Sequence, residues 1–193
     1  PEAISLGLGE PDFVTPWNVR VAAISSIEQG RTHYTSNYGM MELRELISEY
    51  LSSRYHVQYP AEQVLVTIGA SEALDLAFRA ILEPGDEVLV PAPSYVSYEP
   101  GVAFCHGVPV PVETKEEDNF ILTPEQIERA ITKKTKAIVL PYPNNPTGAI
   151  MTREQLEAIR TVILKHDLFV ISDEIYSELT YGQRHVSFAE GME

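Results

Sequence analysis

Two polar segments follow directly after apolar runs, and both carry side chains that could bind a ligand. In PYPNNPTG, residues 141–148, the amides of Asn144 and Asn145 lie between Pro143 and Pro146. A proline fixes its own φ and restricts the residue before it, so this turn is stiff and can present a positioned hydrogen-bond donor. Read by itself, the segment is equally consistent with a turn whose only role is rigidity.

The second segment, SDEIY, places Asp173 directly after the apolar residues of LFVIS. Burying an unpaired carboxylate costs several kcal/mol, so Asp173 needs a cation or good hydrogen bonds. It could be a helix cap, the Mg²⁺-binding acid of a P-loop NTPase, or the counter-ion of a protonated heterocycle. The chain contains no Gly-Lys pair, which argues against the NTPase. Tyr176 is predicted to lie one helical turn after Asp173, near enough to contact the same ligand.

Two further loops contain small or aromatic residues. Gly69, Ala70 and Ser71 follow VLVTI and precede a predicted helix, whose first N–H groups and dipole could bind a phosphate or carboxylate. Taken alone, Ser71 is more typical of a helix N-cap. Tyr95, in APSYVSYEP, could stack on a planar ligand, although a tyrosine at the end of an element more commonly packs against its neighbours.

Short strands alternating with amphipathic helices would position these loops. Continuous apolar runs are typical of strands buried on both faces of a parallel sheet. They predict strands at residues 64–68, 87–91, 136–140 and 168–172, with a proline-limited strand at 108–112 and another opening the chain in AISLGLG. Helical spacing of apolar residues predicts helices in MELRELISEYL and around residues 74–82.

Two more helix starts are marked by capping boxes, in which a threonine precedes a glutamine by three residues. These pairs are Thr123 with Gln126 and Thr152 with Gln155. The alternation of strands and helices predicts an α/β fold, three layers of α/β/α with a mainly parallel sheet. In such sheets, ligands bind at the loops beyond the carboxyl ends of the strands.

Composition restricts the class of protein. The 193 residues are 44% hydrophobic and 22% charged, which is typical of a globular domain. A formal net charge of -14 repels phosphate backbones and anionic lipids, so neither nucleic acid nor a membrane is expected as a partner. No signal peptide or membrane span is evident, and Cys105 has no cysteine partner, so a cytoplasmic location is expected. Cys105 is expected to be buried, and the five histidines lack metal-ligand spacing.

The four loops together resemble the class I and II aminotransferases that use pyridoxal 5'-phosphate (PLP). The segments that carry the resemblance are GAS, PSY, NNPTG and SDEIY, in this order, with LGLGEPDF and HYTSNYGMMELR before them. The resemblance extends over the whole chain and is nearest to a bacterial group containing putative aminotransferase A and N-acetyl-diaminopimelate aminotransferases. It implies part of the large domain of a fold type I PLP-dependent transferase, with residues 1–33 as an N-terminal segment and 34–193 as the first part of that domain.

The resemblance also implies a role for each loop. The backbone at residues 69–71 and the Ser71 hydroxyl would hold the cofactor phosphate, and Tyr95 would stack on the pyridine ring. Asp173 would pair with the protonated ring nitrogen, which keeps the ring able to accept electrons from the substrate Cα. Asn145 and Tyr176 would hydrogen-bond the phenolic oxygen of the ring.

Two other residues are assigned only by the resemblance. Gly9 resembles the residue whose backbone approaches the substrate carboxylate, where Asn145 would also contact the substrate. Tyr34 resembles the tyrosine that reaches the phosphate of the neighbouring subunit in a homodimer. The implied reaction passes an amino group from an L-amino acid to PLP and then to a 2-oxo acid.

The lysine that binds PLP covalently in this family has no counterpart. The lysines at positions 115, 133, 134, 136 and 165 lack the S-x-x-K setting and are expected to be solvated surface residues. The family lysine would lie beyond Glu193, so we expect roughly the first half of a subunit, with no catalytic residue and no turnover by itself. Alternatives are a C–S lyase or another Cα-chemistry enzyme of the same fold, and a non-catalytic PLP-binding regulatory module. The resemblance further predicts cis peptides before Pro93 and Pro146.

Overall fold

A computed structural model of the chain describes Gly7, Gly9 and residues 13–191, and the described residues form two compact units. The first unit ends at Asn37 and contains helix α1, Trp17–Glu28, where the Arg20 guanidinium lies 5.3 Å from the centre of the Trp17 ring. The strand predicted in AISLGLG falls outside the described residues except for the two glycines. The predicted domain boundary after residue 33 stays a prediction.

A parallel four-stranded sheet forms the centre of the second unit, which begins at Tyr38. The strands are β1 Glu87–Ala92, β2 Val108–Glu113, β3 Thr135–Leu140 and β4 Phe169–Ser172, in the spatial order β2-β1-β3-β4. The proline-containing strand β2 lies at an edge, as expected for residues that cannot donate a ladder hydrogen bond. The central strands β1 and β3 carry the most deeply buried residues.

Five helices accompany this sheet: α2 Met41–Tyr55, α3 Gly69–Ile81, α4 Tyr98–Phe104, α5 Pro124–Ala130 and α6 Arg153–Lys165. Short 3-10 turns occupy Ala61–Gln63 and Glu116–Asp118. Both predicted capping boxes are confirmed, because the Thr123 and Thr152 hydroxyls each accept a backbone N–H bond of 3.3 Å at the start of α5 and α6. No helix among the described residues is long and apolar enough to cross a membrane.

Alternate residues of the central strands face two separate cores. Val88 on one face packs with Phe78 of α3, and that core also holds Cys105, buried as expected. Leu89 on the other face packs with Ile159 of α6. Helices therefore cover both faces of the sheet, and the predicted three-layer α/β fold is confirmed.

The strand predicted at residues 64–68 is wrong. This run pairs with no strand of the described chain. Instead, the Val66 amide donates to the Tyr38 carbonyl at 3.1 Å, while Leu65 and Ile68 are 46% and 90% exposed. An apolar run forms a strand only where a neighbouring backbone offers a ladder of donors and acceptors, and no strand of the described chain lies beside residues 64–68.

Candidate functional site

A cleft of about 190 Å³ lies where the loops after β1, β3 and β4 meet the first turn of α3. It is lined by Ala70, Ser71, Leu74, Tyr95, Tyr98, Pro143, Asn145, Asp173, Ile175 and Tyr176. The structure therefore brings six predicted site residues from four separate loops to one place, at the carboxyl ends of parallel strands. Gly69 directly precedes the first of them.

The first turn of α3 forms one side of the cleft. Gly69 has a φ of 77°, a left-handed conformation that favours glycine at the point where the chain turns into the helix. The N-cap residue is Ile68, whose side chain makes no capping bond, while its amide donates to the Glu72 carboxylate at 2.5 Å. The interpretation of Ser71 as an N-cap is therefore wrong, because Ser71 lies inside the first turn. The N–H groups of the first turn and the helix dipole favour an anion at this end.

Asp173 continues from β4 towards the cleft and is half-buried. Its amide donates to the Leu140 carbonyl at 3.0 Å, which extends the sheet by one bond. Its Oδ1 accepts from the Ile175 amide at 3.2 Å, and its Oδ2 accepts from the Tyr98 hydroxyl at 2.9 Å. Asp173 caps a turn rather than a helix, and these bonds hold its carboxylate in one orientation.

Tyr98 is a site residue that the sequence analysis missed. It begins α4, is 3% exposed, and contacts the Tyr95 ring edge to face, with 5.7 Å between ring centres. Burial, and then the charge of Asp173, raise the pKa of Tyr98 far above its ordinary value, so its hydroxyl stays protonated and donates. The only signal in the sequence is a second tyrosine one helical turn after Tyr95.

The two asparagines of the proline-rich loop have different surroundings. Asn144 is 5% exposed, and its Oδ1 accepts from the Thr147 amide at 3.2 Å and from the Thr147 hydroxyl at 2.9 Å. This side chain therefore builds the turn from within. Asn145 is exposed and lines the cleft. The stiff loop thus presents one amide to a ligand and uses the other for its own structure.

The peptides that precede three prolines near the cleft are cis. Those before Pro93 and Pro146 were predicted to be cis, and both are confirmed. The peptide between Tyr142 and Pro143 is also cis and was not predicted.

Tyr176 lies in a turn and not in the predicted helix. The Ser177 amide donates to the Glu174 carbonyl and the Leu179 amide to the Tyr176 carbonyl, each at 2.9 Å, which are three-residue turn contacts. Tyr176 nevertheless lines the cleft with Asp173, and it is 37% exposed. The expectation that both residues face the same ligand site holds without the helix.

The turn that carries Tyr176 is attached to α2 through Glu178. The Glu178 carboxylate accepts two bonds of 2.8 Å from Arg54, one of 2.6 Å from Tyr50 and one of 2.7 Å from Tyr55. These bonds hold the pKa of Glu178 far below its ordinary value, and the bond from Arg54 has the largest effect. We call Glu178 with its three α2 partners the α2 clamp.

The remaining predicted residues lie elsewhere. Gly9 and Tyr34 belong to the first unit, where both are exposed, and their roles stay predictions. None of the five lysines lines the cleft. Four of them are exposed as expected, while Lys136 is half-buried with its Nζ 5.3 Å from the centre of the Phe169 ring. The described residues contain no cluster of side chains suited to a metal ion.

Comparison with known proteins shows what the chain is similar to. A family model described as aminotransferase class I and II matches residues 1–193. Putative aminotransferase YugH of Bacillus subtilis (strain 168) is 51% identical over 187 residues, covering 96% of this chain and 48% of that protein. Probable N-acetyl-LL-diaminopimelate aminotransferase of the same organism is 47% identical over 189 residues. That match covers 97% of this chain and 48% of the relative.

A solved structure shows the same likeness in three dimensions. The aromatic aminotransferase from Pyrococcus horikoshii OT3 matches with a TM-score of 0.96 at 42% identity, covering 98% of this chain and 52% of that one. The chain thus spans about half the length of the relatives it matches.

Proposed function

The chain belongs to the class I and II aminotransferase family, and from this premise we propose that it is the part of a PLP-dependent aminotransferase that holds most of the cofactor. The observation that carries the proposal is the convergence of Ser71, Tyr95, Asn145, Asp173 and Tyr176 on one cleft. Four loops separated along the chain supply these residues, and each offers a different kind of contact.

The chemistry of these side chains fits PLP group by group. The first turn of α3, with the Ser71 hydroxyl, suits a phosphate. The Tyr95 ring offers a flat apolar surface for the pyridine ring. In the described part of the chain, Asp173 forms no ion pair with a lysine or arginine, so its oriented carboxylate is suited to a protonated ring nitrogen.

The residues of this chain then act by binding and by holding protons. Asp173 would pair with the protonated ring nitrogen, and Tyr98 in turn holds Asp173 in one orientation by donating to its Oδ2. Asn145 and Tyr176, which also line the cleft, would donate to the phenolic oxygen of the ring. When bound, the cofactor supplies an electron sink for the substrate Cα.

We further propose that the whole protein transfers an amino group from an L-amino acid to a 2-oxo acid as a homodimer. Gly9 is proposed to approach the substrate carboxylate, and Tyr34 to contact the phosphate in the neighbouring subunit. The relatives named above are aminotransferases by their names, which supports this reaction class for the whole protein. By itself, this 193-residue chain is proposed to bind PLP without turnover, because no lysine lines the cleft.

The reaction is tested on the whole protein by incubating it with PLP, an L-amino acid and a 2-oxo acid. A new amino acid in equal amount to the 2-oxo acid formed supports transamination. Release of ammonia or sulfide without need of an acceptor would instead assign a lyase, and bound PLP without any turnover would assign a regulatory module.

The absence of the covalent anchor is tested on the 193-residue chain. After incubation with PLP and reduction with borohydride, peptide mass spectrometry should find no pyridoxyl-lysine in stoichiometric amount. Stoichiometric labelling at one of the five lysines would contradict the proposal that the anchoring lysine lies outside this chain.

A further inference from the structure

Glu174, the neighbour of Asp173, has a carboxylate with four hydrogen-bond partners. Its Oε2 contacts the His185 Nε2 at 2.7 Å. Its Oε1 accepts from the Ser172 hydroxyl at 2.7 Å, and from the Ser187 hydroxyl and the Phe188 amide at 3.1 Å each. These four bonds equal the number of lone pairs that a carboxylate offers, with three of them on Oε1 and one on Oε2, so the group is held from several sides.

Asp173 and Glu174 project to opposite sides of the chain. The first lines the cleft, whereas the second lies at a small cavity of about 10 Å³ that is also lined by Leu140 and Phe188. Side chains of consecutive residues in an extended chain alternate in direction, and the bond from the Asp173 amide to Leu140 keeps this residue in line with β4. The orientation of one carboxylate therefore restricts that of the other.

His185, the partner of Glu174, is itself fixed in place. It is 5% exposed, and its ring meets the Tyr55 ring edge to face, with 5.7 Å between centres and 85° between planes. The Tyr55 hydroxyl contacts Ser177 at 3.0 Å and Glu178 at 2.7 Å. The turn is thus held at its start through Glu174 and at its end by the α2 clamp.

We propose that Glu174, held by His185, is a positioning residue that sets the direction of Asp173 towards the cofactor ring. This inference rests on the proposed function, since only a ligand with a protonated ring nitrogen makes the direction of Asp173 matter. Burial alone would raise the pKa of Glu174, but the bonds from His185 and Ser172 outweigh it and the pKa is lowered. The carboxylate is therefore ionised at neutral pH and accepts every bond described.

The experiment uses Glu174→Gln in the whole protein. Glutamine keeps the shape of the side chain but replaces one acceptor oxygen with a donor group, which opposes the donors around it. PLP should bind about tenfold more weakly than to wild type, the lower end of the loss usual when an outer-shell partner is removed. The pH midpoint of the absorbance change of bound PLP should rise by about one unit relative to wild type. The reason is that a ring whose nitrogen is less protonated withdraws less electron density from the groups conjugated with it.

Glu128→Gln is the matched control. Glu128 also accepts from a histidine, with 2.9 Å to the His166 Nε2, and from Lys165 at 2.6 Å, but it lies on α5, outside the cleft lining. Its PLP affinity and pH midpoint should equal those of wild type. Ser187→Ala removes one donor to Glu174, so it should shift the PLP affinity and the pH midpoint in the same direction as Glu174→Gln, by a smaller amount. If Glu174→Gln does not fold, Ser187→Ala is the variant that tests the positioning role.

The two proposals fail in different ways. If wild type binds no PLP, the proposed function is wrong and the positioning role falls with it. If wild type binds PLP and the folded variants keep its affinity and its pH midpoint, the positioning role alone is overturned.

Discussion

At the scale of single residues, the hydroxyl of Tyr98 provides a sharp test of the site. In Tyr98→Phe the ring is kept, while the 2.9 Å bond to Asp173 is lost. Because that bond reaches a charged group, we expect PLP affinity to fall by about 1.5–3 kcal/mol in binding free energy. Titration of the whole protein with PLP, followed by absorbance, measures the change.

The control for this variant is Tyr142→Phe. The Tyr142 hydroxyl accepts from the Leu122 amide at 3.0 Å and donates to the Phe120 carbonyl at 3.2 Å, in the core on the other face of the sheet. Burial raises the pKa of Tyr142 to about 12. This variant should lower the free energy of unfolding by about 1 kcal/mol and leave PLP affinity unchanged. Equal loss of affinity in both variants would show that Tyr98 acts only through stability.

The pH dependence of stability is a second residue-scale prediction. The folded pKa of Glu174 is lowered, so its contribution to stability is fully present above the unfolded pKa of about 4.3 and is lost as the pH falls through the folded value. Wild type should therefore lose unfolding free energy below about pH 4 more steeply than Glu174→Gln. Urea unfolding between about pH 6 and pH 3 compares the two slopes, and parallel curves would contradict the assignment.

The residues together with their resemblance to a known family predicted most of the cleft but not what supports it. Asn145 and Asp173 were expected from their place after apolar runs, because parallel strands bring such loops together. Tyr98 and the structural role of Asn144 could not be predicted, since both depend on which of two similar side chains turns inward. That choice is made by packing with residues distant in sequence, such as the contact of Tyr98 with Asp173.

At the scale of secondary-structure elements, the capping box of α6 is open to measurement. Thr152→Ala removes the hydroxyl that accepts the Gln155 amide, and we expect a loss of about 1 kcal/mol in the free energy of unfolding. Thr161→Ala is the control within the same helix. Its exposed hydroxyl donates back to the Glu157 carbonyl at 3.2 Å, so its removal should change stability by no more than about 0.5 kcal/mol. Similar losses for both would argue against the cap.

Elements with local signals were predicted well, whereas the apolar run at residues 64–68, which has no strand of the described chain beside it, was not. The capping boxes at Thr123 and Thr152 involve only three residues of sequence separation, so they could be recognised directly. The apolar run at residues 64–68 has the composition of a strand, but its pairing depends on a neighbouring backbone. Composition reports that a segment can be buried, whereas strand formation also requires a partner beside it.

At the scale of the whole molecule, the proposed homodimer makes a prediction about shared sites. If Tyr34 contacts the phosphate in the neighbouring subunit, Tyr34→Phe and Asp173→Asn damage the same site from different chains. A heterodimer with one variant in each subunit then contains one site with both changes and one intact site, so it should have about half of wild-type activity. Co-expression with two affinity tags isolates this heterodimer for assay beside the two variant homodimers. A heterodimer no more active than those homodimers would place Tyr34 in the site of its own subunit.

The α2 clamp also affects the order in which the protein can fold during synthesis. Arg54 and Glu178 are 124 positions apart, so at about 5–20 residues per second the ribosome needs about 6–25 seconds to supply the second residue after the first. Tyr55 is 4% exposed in the folded protein. Throughout that interval, its hydroxyl lacks the acceptor Glu178. The end of α2 therefore stays solvated until Glu178 is synthesised, and this layer completes its structure only after that point.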